Sequence, residues 1–153
     1  MALPLARSIR SIQPTLTDIG LLVLRIAFGG MLLVGHGWSK LQNYSTMAEN
    51  FADPIGIGMR NSLLGAIFAE VVCSGLVIIG LATRLAGLVL VFTFCVAALI
   101  VHQNDPMFSQ GGGSAKEPAL TYLSAFLALV FLGPGRVSID YLLAGKPLRT
   151  EKY

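Results

Sequence analysis

The sequence predicts an all-α membrane protein: a transmembrane antiparallel four-helix bundle with a short helix in an outer loop. Three observations predict it. Of 153 residues, 54% are hydrophobic and only 12% are charged, where soluble domains carry roughly a quarter. The mean hydropathy of +0.72 leaves more apolar surface than the interior of so small a globule can hide. The apolar residues also gather into four stretches near the length of about 20 that a helix needs to cross a hydrocarbon layer of about 30 Å. This composition argues against a soluble enzyme. The net charge of +3 does not indicate a nucleic-acid partner, because the Lys and Arg residues are scattered with no basic run or basic-aromatic patch. The expected partner is membrane lipid.

The four spans are expected at about 16–38, 63–82, 85–102 and 119–133, within a single membrane domain of residues 1–153. Arg7 and Arg10 precede the first, but its apolar run is too long for a signal peptide and lacks a small-residue cleavage site, so it is expected to stay as an anchor. Only Thr83 and Arg84 separate the second and third, which predicts a tight helical hairpin. The outer loop Ser39 to Ser62 is half apolar and is expected to lie on the bundle as a lid, with a short helix capped by Ser45 or Thr46 and ending before Pro54. The outer loop Gln103 to Glu117 carries Asn104-Asp105-Pro106 and Gly111 to Gly113, which are turn signals. The fourth span is short. It starts behind Pro118 and stops at Gly133-Pro134-Gly135, after which Val137 to Ala144 should return as an interfacial helix.

Orientation follows from the basic residues near the span ends. With both termini cytoplasmic, the inner side holds Arg7, Arg10, Arg84, Arg136, Lys146, Arg149 and Lys152, and the outer side only Lys40, Arg60 and Lys116. Four spans with both ends inside satisfy the same count.

Charge inside a span is costly, on the order of 2.5–3.5 kcal/mol at mid-bilayer, so Arg25 and Glu70 stand out. At 100° per residue Asp18, Arg25, Gly29, Leu32 and His36 form one stripe that should face the bundle. Arg25 is expected to reach Glu70, either as an intramembrane site with a proton-exchanging carboxylate or as a structural ion pair joining spans one and two. His36 and His102 end spans one and three at the outer surface. Two such imidazoles are chemically suited to haem, but the reading favoured here is polar interfacial residues, with proton relay open and no metal site expected. Cys73 and Cys95 should lie at nearly the same depth. They form either a redox pair or, the reading preferred, inert thiols packed between helices.

Several blocks recur in an order that carries a resemblance. They are Arg25 with Gly29 and His36-Gly37-Trp38-Ser39-Lys40-Leu41; Glu70 with Gly75 and Gly80-Leu81-Ala82-Thr83-Arg84; Glu117 with Ala119, Leu120 and Tyr122; and Gly133-Pro134-Gly135-Arg136 with Ser138-Ile139-Asp140. From about Thr17 to Asp140 the chain resembles the DoxX family of small four-span membrane proteins. The resemblance implies a place beside quinol oxidase and thiosulfate:quinone oxidoreductase subunits. It also implies a ligand-binding pocket in the outer half of the bundle around Arg25, His36, Lys40, Glu70 and Glu117, to which His102 is added from its outer-end position. No catalytic residue can be named, and with no C-x-x-C or dinucleotide fingerprint any electron carrier must come from outside the chain. Two functions are expected in turn: a redox-associated inner-membrane subunit holding a quinone-like or other small amphipathic molecule within an oxidoreductase assembly, or a non-catalytic anchor or assembly factor for oxidoreductase partner subunits.

Overall fold

The structure is a computed structural model and describes residues 4–109 and 111–144. Among these residues every regular element is helical. Helix α1 runs Pro4–Leu32 and continues without a break through a π-helical turn, Leu33–Gly37, and a further turn, Trp38–Gln42. After the short α2 (Tyr44–Met47) comes α3, which is α-helical over Met59–Ile67, π-helical over Phe68–Cys73 and α-helical again over Ser74–Ile79. Helix α4 runs Thr83–Val96 and ends in the π segment Ala97–Val101, α5 is Glu117–Leu132 and α6 is Ile139–Leu143. Gln13–Gln42, Met59–Ile79 and Thr83–Val101 are long and apolar enough to cross a membrane. Helix α5, at about 1.5 Å per residue, spans only about 24 Å, the thin fourth helix its flanking Pro118 and Gly133 predict.

At the end of the bundle away from the α3–α4 turn, termed the outer end for the orientation that the basic residues predict, the first two spans reach further than the apolar runs suggest. Ser39, Lys40 and Gln42 are polar yet helical, and the turn ends where the Asn43 amide donates to the Ser39 carbonyl at 2.8 Å. The short outer helix is present, but its cap is not Ser45 or Thr46. It begins behind Asn43, whose carbonyl accepts from the Met47 N–H at 3.0 Å and from the Thr46 hydroxyl at 2.9 Å.

The helices enclose a main core in which Leu32, Val77, Leu90, Phe126 and Leu129 are almost wholly buried, and a smaller cluster of Ala48, Leu63 and Ile67 lies beside it. Outside it, Val23, Leu85, Leu99 and Phe131 are among many large apolar side chains left exposed, as lipid-facing residues must be.

At the inner end the turn between α3 and α4 closes by backbone geometry. Gly80 (φ +73°) is left-handed, with Gly80 N–H to Val77 and Leu81 N–H to Leu76 satisfying the last carbonyls of α3. The segment after α5 then folds across this turn. Asp140 accepts from the backbone N–H groups of Ala82 (2.7 Å) and Thr83 (2.9 Å), capping α4 from 57 residues away, while its own N–H donates to Gly80. Partial burial pushes the Asp140 carboxyl up, but the hydrogen bonds from Thr83 and Ala82 and the Arg25 charge outweigh it and hold its pKa below the ordinary value. Ser138 caps α6 by accepting from the Tyr141 N–H, and Asp18 of α1 accepts from the Arg136 N–H at 2.8 Å.

Arg25 belongs to this inner clasp. The expected Arg25–Glu70 pair does not form. The guanidinium is fully buried, and Nη2 donates to the Val137 carbonyl. A Cβ on Gly80 would lie 1.9 Å from its Nη1, so the absent side chain of Gly80 is what admits the arginine. The reason is axial register. Gly37 packs so closely on Glu70 that a Cβ there would sit 2.7 Å from the Glu70 carbonyl oxygen, which fixes Glu70 opposite Gly37. Arg25 lies twelve positions earlier on the same helix, about 18 Å away.

Lys146, Arg149 and Lys152, which entered the orientation count, lie outside the described residues, as do the side chains of Arg7 and Arg10.

Candidate functional site

The outer half holds a cavity of about 510 Å³ between α1, α3, α4 and α5, roofed by the outer loop. Three π-helical segments meet at this level. Each adds a residue to a helical turn and so rotates the remainder of its helix relative to a regular α-helix, a device often found at functional sites. His36 lies within the first, Glu70 within the second, and His102 directly follows the third. The first also redraws the stripe on α1. Its buried line runs Leu21, Arg25, Gly29 and Leu32 but resumes at Gly37, so His36 is turned out of the helix contact and into the cavity wall.

Glu70 is buried, and Lys40 Nζ donates to its Oε2 at 2.5 Å. Lys40, drawn in from the outer end of α1, is thus the ion partner that Arg25 was expected to be. The Ser74 hydroxyl donates to the Glu70 backbone carbonyl, occupying an acceptor in the π segment. Tyr122 of α5 stands in the wall with its ring stacked on Phe94 (centroids 5.0 Å) and met edge-on by His36 (5.8 Å) and Phe28 (6.0 Å). Such packing fixes the ring planes. His102 Nδ1 lies 2.7 Å from Asp105 Oδ2. The hydrogen bonds of His102 and Ser114, with the nearby Lys116 charge, outweigh slight burial and lower the Asp105 pKa.

The roof is shaped by one carboxylate. Asp53 Oδ1 accepts from the Ile57 N–H (3.0 Å) and the Ser62 hydroxyl (2.7 Å), and Oδ2 from the Gly58 N–H (2.8 Å). The Ser62 bond chiefly, with the backbone donors, holds its pKa low. Phe51, Pro54, Ile55 and Ile57 of this loop face the cavity. Phe68 of α3 and Phe92 of α4 line the cavity and are themselves about half exposed (50% and 59%) on the outside of the bundle.

Of the residues singled out from sequence, His36, Lys40, Glu70 and His102 line this cavity, and Arg25 and Glu117 do not. Glu117 is exposed at the first turn of α5, and its backbone carbonyl accepts from Thr121. As an acid at a helix N-terminus it suits the dipole, while its neighbours Pro118 and Ala119 supply the wall. Cys73 and Cys95 are both free, the first buried and the second partly so. Sequence reasoning does not place Tyr122 or Asp105 at the site. Tyr122 stands in one of the recurrent blocks without a role, and Asp105 has a legible cue in its position three residues after His102.

The DoxX family model matches residues 20–103, a stretch that carries all four of the lining residues just named and the inner turn. The chain belongs to the DoxX family. This membership and the apolar helices make it an integral membrane protein whose exposed helix faces contact lipid, and DoxX membership suggests a role associated with membrane oxidoreductases. No curated protein and no solved structure matches the chain.

Proposed function

We propose that this DoxX chain is a subunit of a membrane oxidoreductase assembly and holds a quinone-type molecule in the outer-half cavity. It does so in a bacterial-type inner membrane with both termini cytoplasmic. The observation that carries the reading is the cavity's composition. Its volume of about 510 Å³ falls within the range of small-molecule sites, roughly 300–1,000 Å³. Its walls are aromatic and aliphatic, and its charges, the partly buried Lys40 and the buried Glu70, compensate one another. A compensated pair offers both a donor and an acceptor without net charge, which suits a neutral polar headgroup better than a phosphate or a carboxylate. Phe68 and Phe92, which both line the cavity and are half exposed on the apolar outer surface, mark where an attached hydrocarbon chain would pass into lipid. His36, Lys40, Glu70 and His102 are the ligand-binding residues in this reading.

The test is binding of decylubiquinone to the full chain in lipid nanodiscs, comparing wild type with the Lys40→Met, Glu70→Gln double variant. Saturable binding that is lost in the double variant supports the reading. Absence of saturable binding by the wild type, with oxidoreductase subunits still recovered in a mild-detergent pull-down, would instead establish the non-catalytic anchor. Labelling of single cysteines at Ser8 and Ser114 tests the orientation, since only the latter should react from outside.

A further inference from the structure

The polar groups of the cavity differ in how far the protein fixes their hydrogen-bonding roles. The Lys40–Glu70 pair presents N–H donors and carboxylate acceptors together, and the Tyr122 hydroxyl can do either, so none of these discriminates between a ligand that donates and one that accepts. His36 makes only a ring-edge contact with Tyr122 among the described residues, which leaves its tautomer free.

His102 is the exception. Its Nδ1 faces Asp105 Oδ2 at 2.7 Å, and an ionised carboxylate can only accept. The proton of the neutral ring is therefore held on Nδ1, and Nε2 of this cavity-lining residue is left as a bare acceptor. Asp105 is kept ionised by hydrogen bonds from His102 and Ser114 and by the nearby Lys116 charge. Lys116 is itself anchored to the Gln103 carbonyl at 2.8 Å.

We propose that His102, oriented by Asp105, sets the redox-state preference of the cavity, favouring the hydroxyl-bearing reduced form of a quinone-type ligand, the hydroquinol, over the carbonyl-bearing oxidised form. This rests on the preceding reading that a quinone-type molecule occupies the cavity. A hydroquinol O–H donates to Nε2. A quinone carbonyl can only accept, so it would set an acceptor against an acceptor and leave both unsatisfied. Protonation of the ring reverses the role, because the imidazolium donates from both nitrogens. The preference therefore belongs to the neutral ring and fades in acid. The other titratable or charged groups around His102 are Asp105 on its own loop, Lys116 before α5, Tyr122 on α5, Glu70 on α3, and His36 and Lys40 on α1. Asp105 is a positioning residue in this scheme and does not touch the ligand.

The experiment measures dissociation constants of decylubiquinol (kept reduced under argon) and decylubiquinone for the full chain in nanodiscs at about pH 8 and about pH 5. The wild type should bind the quinol about tenfold more tightly at the higher pH, the scale of one satisfied hydrogen bond, with the ratio falling toward unity at the lower. Asp105→Asn, whose amide can donate to Nδ1 and shift the ring proton to Nε2, should lose or invert the preference at high pH. His102→Gln should bind both forms with no pH dependence in the ratio. Equal wild-type affinities, or a preference that survives both variants, overturns the proposal while leaving the ligand site intact. If neither form binds, the ligand reading fails and this one with it. The wild-type pH comparison decides even where a variant does not fold.

Discussion

The two ends of this bundle are built on opposite principles. At the inner end, polar groups, Arg25 fully buried and Asp18 and Asp140 partly so, are held chiefly on backbone, with one side-chain ion pair between Asp18 and Arg136. Arg25 is held on the Val137 carbonyl, and Asp140 caps Ala82 and Thr83. Asp18 binds the Arg136 N–H, and left-handed Gly80 makes room for the guanidinium. At the outer end the polar groups are paired side chain to side chain around open space, Lys40 with Glu70 and His102 with Asp105, and three helices are unwound into π turns. The Nε and Nη1 of Arg25 have no hydrogen-bond partner among the described residues but are sealed away from the cavity, whereas a side-chain pair beside the cavity keeps donors and acceptors to offer. Intramembrane charge alone therefore does not mark a site. What the charge is bonded to does.

That contrast predicts where substitutions act. The largest expected loss is Arg25→Ala, which empties a fully buried volume and orphans the Val137 carbonyl. It should lower stability by about 3–5 kcal/mol, read as thermal unfolding in detergent, with ligand affinity of the folded fraction unchanged. Next is Gly80→Ala. It places a methyl against Arg25 and Ser138 at a φ of +73° and should cost about 1–3 kcal/mol.

Asp140→Asn should cost about 1 kcal/mol through the weakened cap on α4, and it should change the acid limb of stability. With its pKa below the ordinary carboxylate value of about 3.9, Asp140 contributes stability that is complete above that value. The contribution is lost as pH falls through the lower folded-state value. The wild type should thus destabilise more steeply below about pH 4 than the variant does. Coincident acid limbs would remove Asp140 from the clasp.

The smallest stability change belongs to the outer end. The Lys40→Met, Glu70→Gln double variant removes both charges at similar volume and should stay within about 1–2 kcal/mol of wild type while losing the ligand. A double variant as damaged as Arg25→Ala would make the outer pair structural too, and the comparison between the ends would collapse.

How much of this the sequence discloses depends on which physical signal each feature carries. The spans are legible because hydrocarbon demands long apolar runs, and the hairpin at Thr83-Arg84 because so few residues leave no other path. Burial of Arg25 follows from its helical face. Its partner does not, because axial register is set by the contact of Gly37 with Glu70 and by polar residues 39–42 continuing the helix, neither of which leaves a mark in hydropathy. The π turns are equally silent, which is why a regular helical wheel puts His36 on the buried stripe. The blocks Gly80 to Arg84 and Ser138 to Asp140 are recognisable as recurrent, but only the fold shows that they grip each other.

The most direct test is to photolyse an azido-substituted short-chain quinone with the full chain in nanodiscs and map the adduct by peptide mass spectrometry. Labelling within the outer cavity, on the roof segment 51–57, on α3 around Glu70 or on α5 around Tyr122, and displaced by excess decylubiquinone, is the result predicted. Displaceable labelling around Arg25 and the 133–143 segment instead would contradict the assignment of binding to the outer end and structure to the inner.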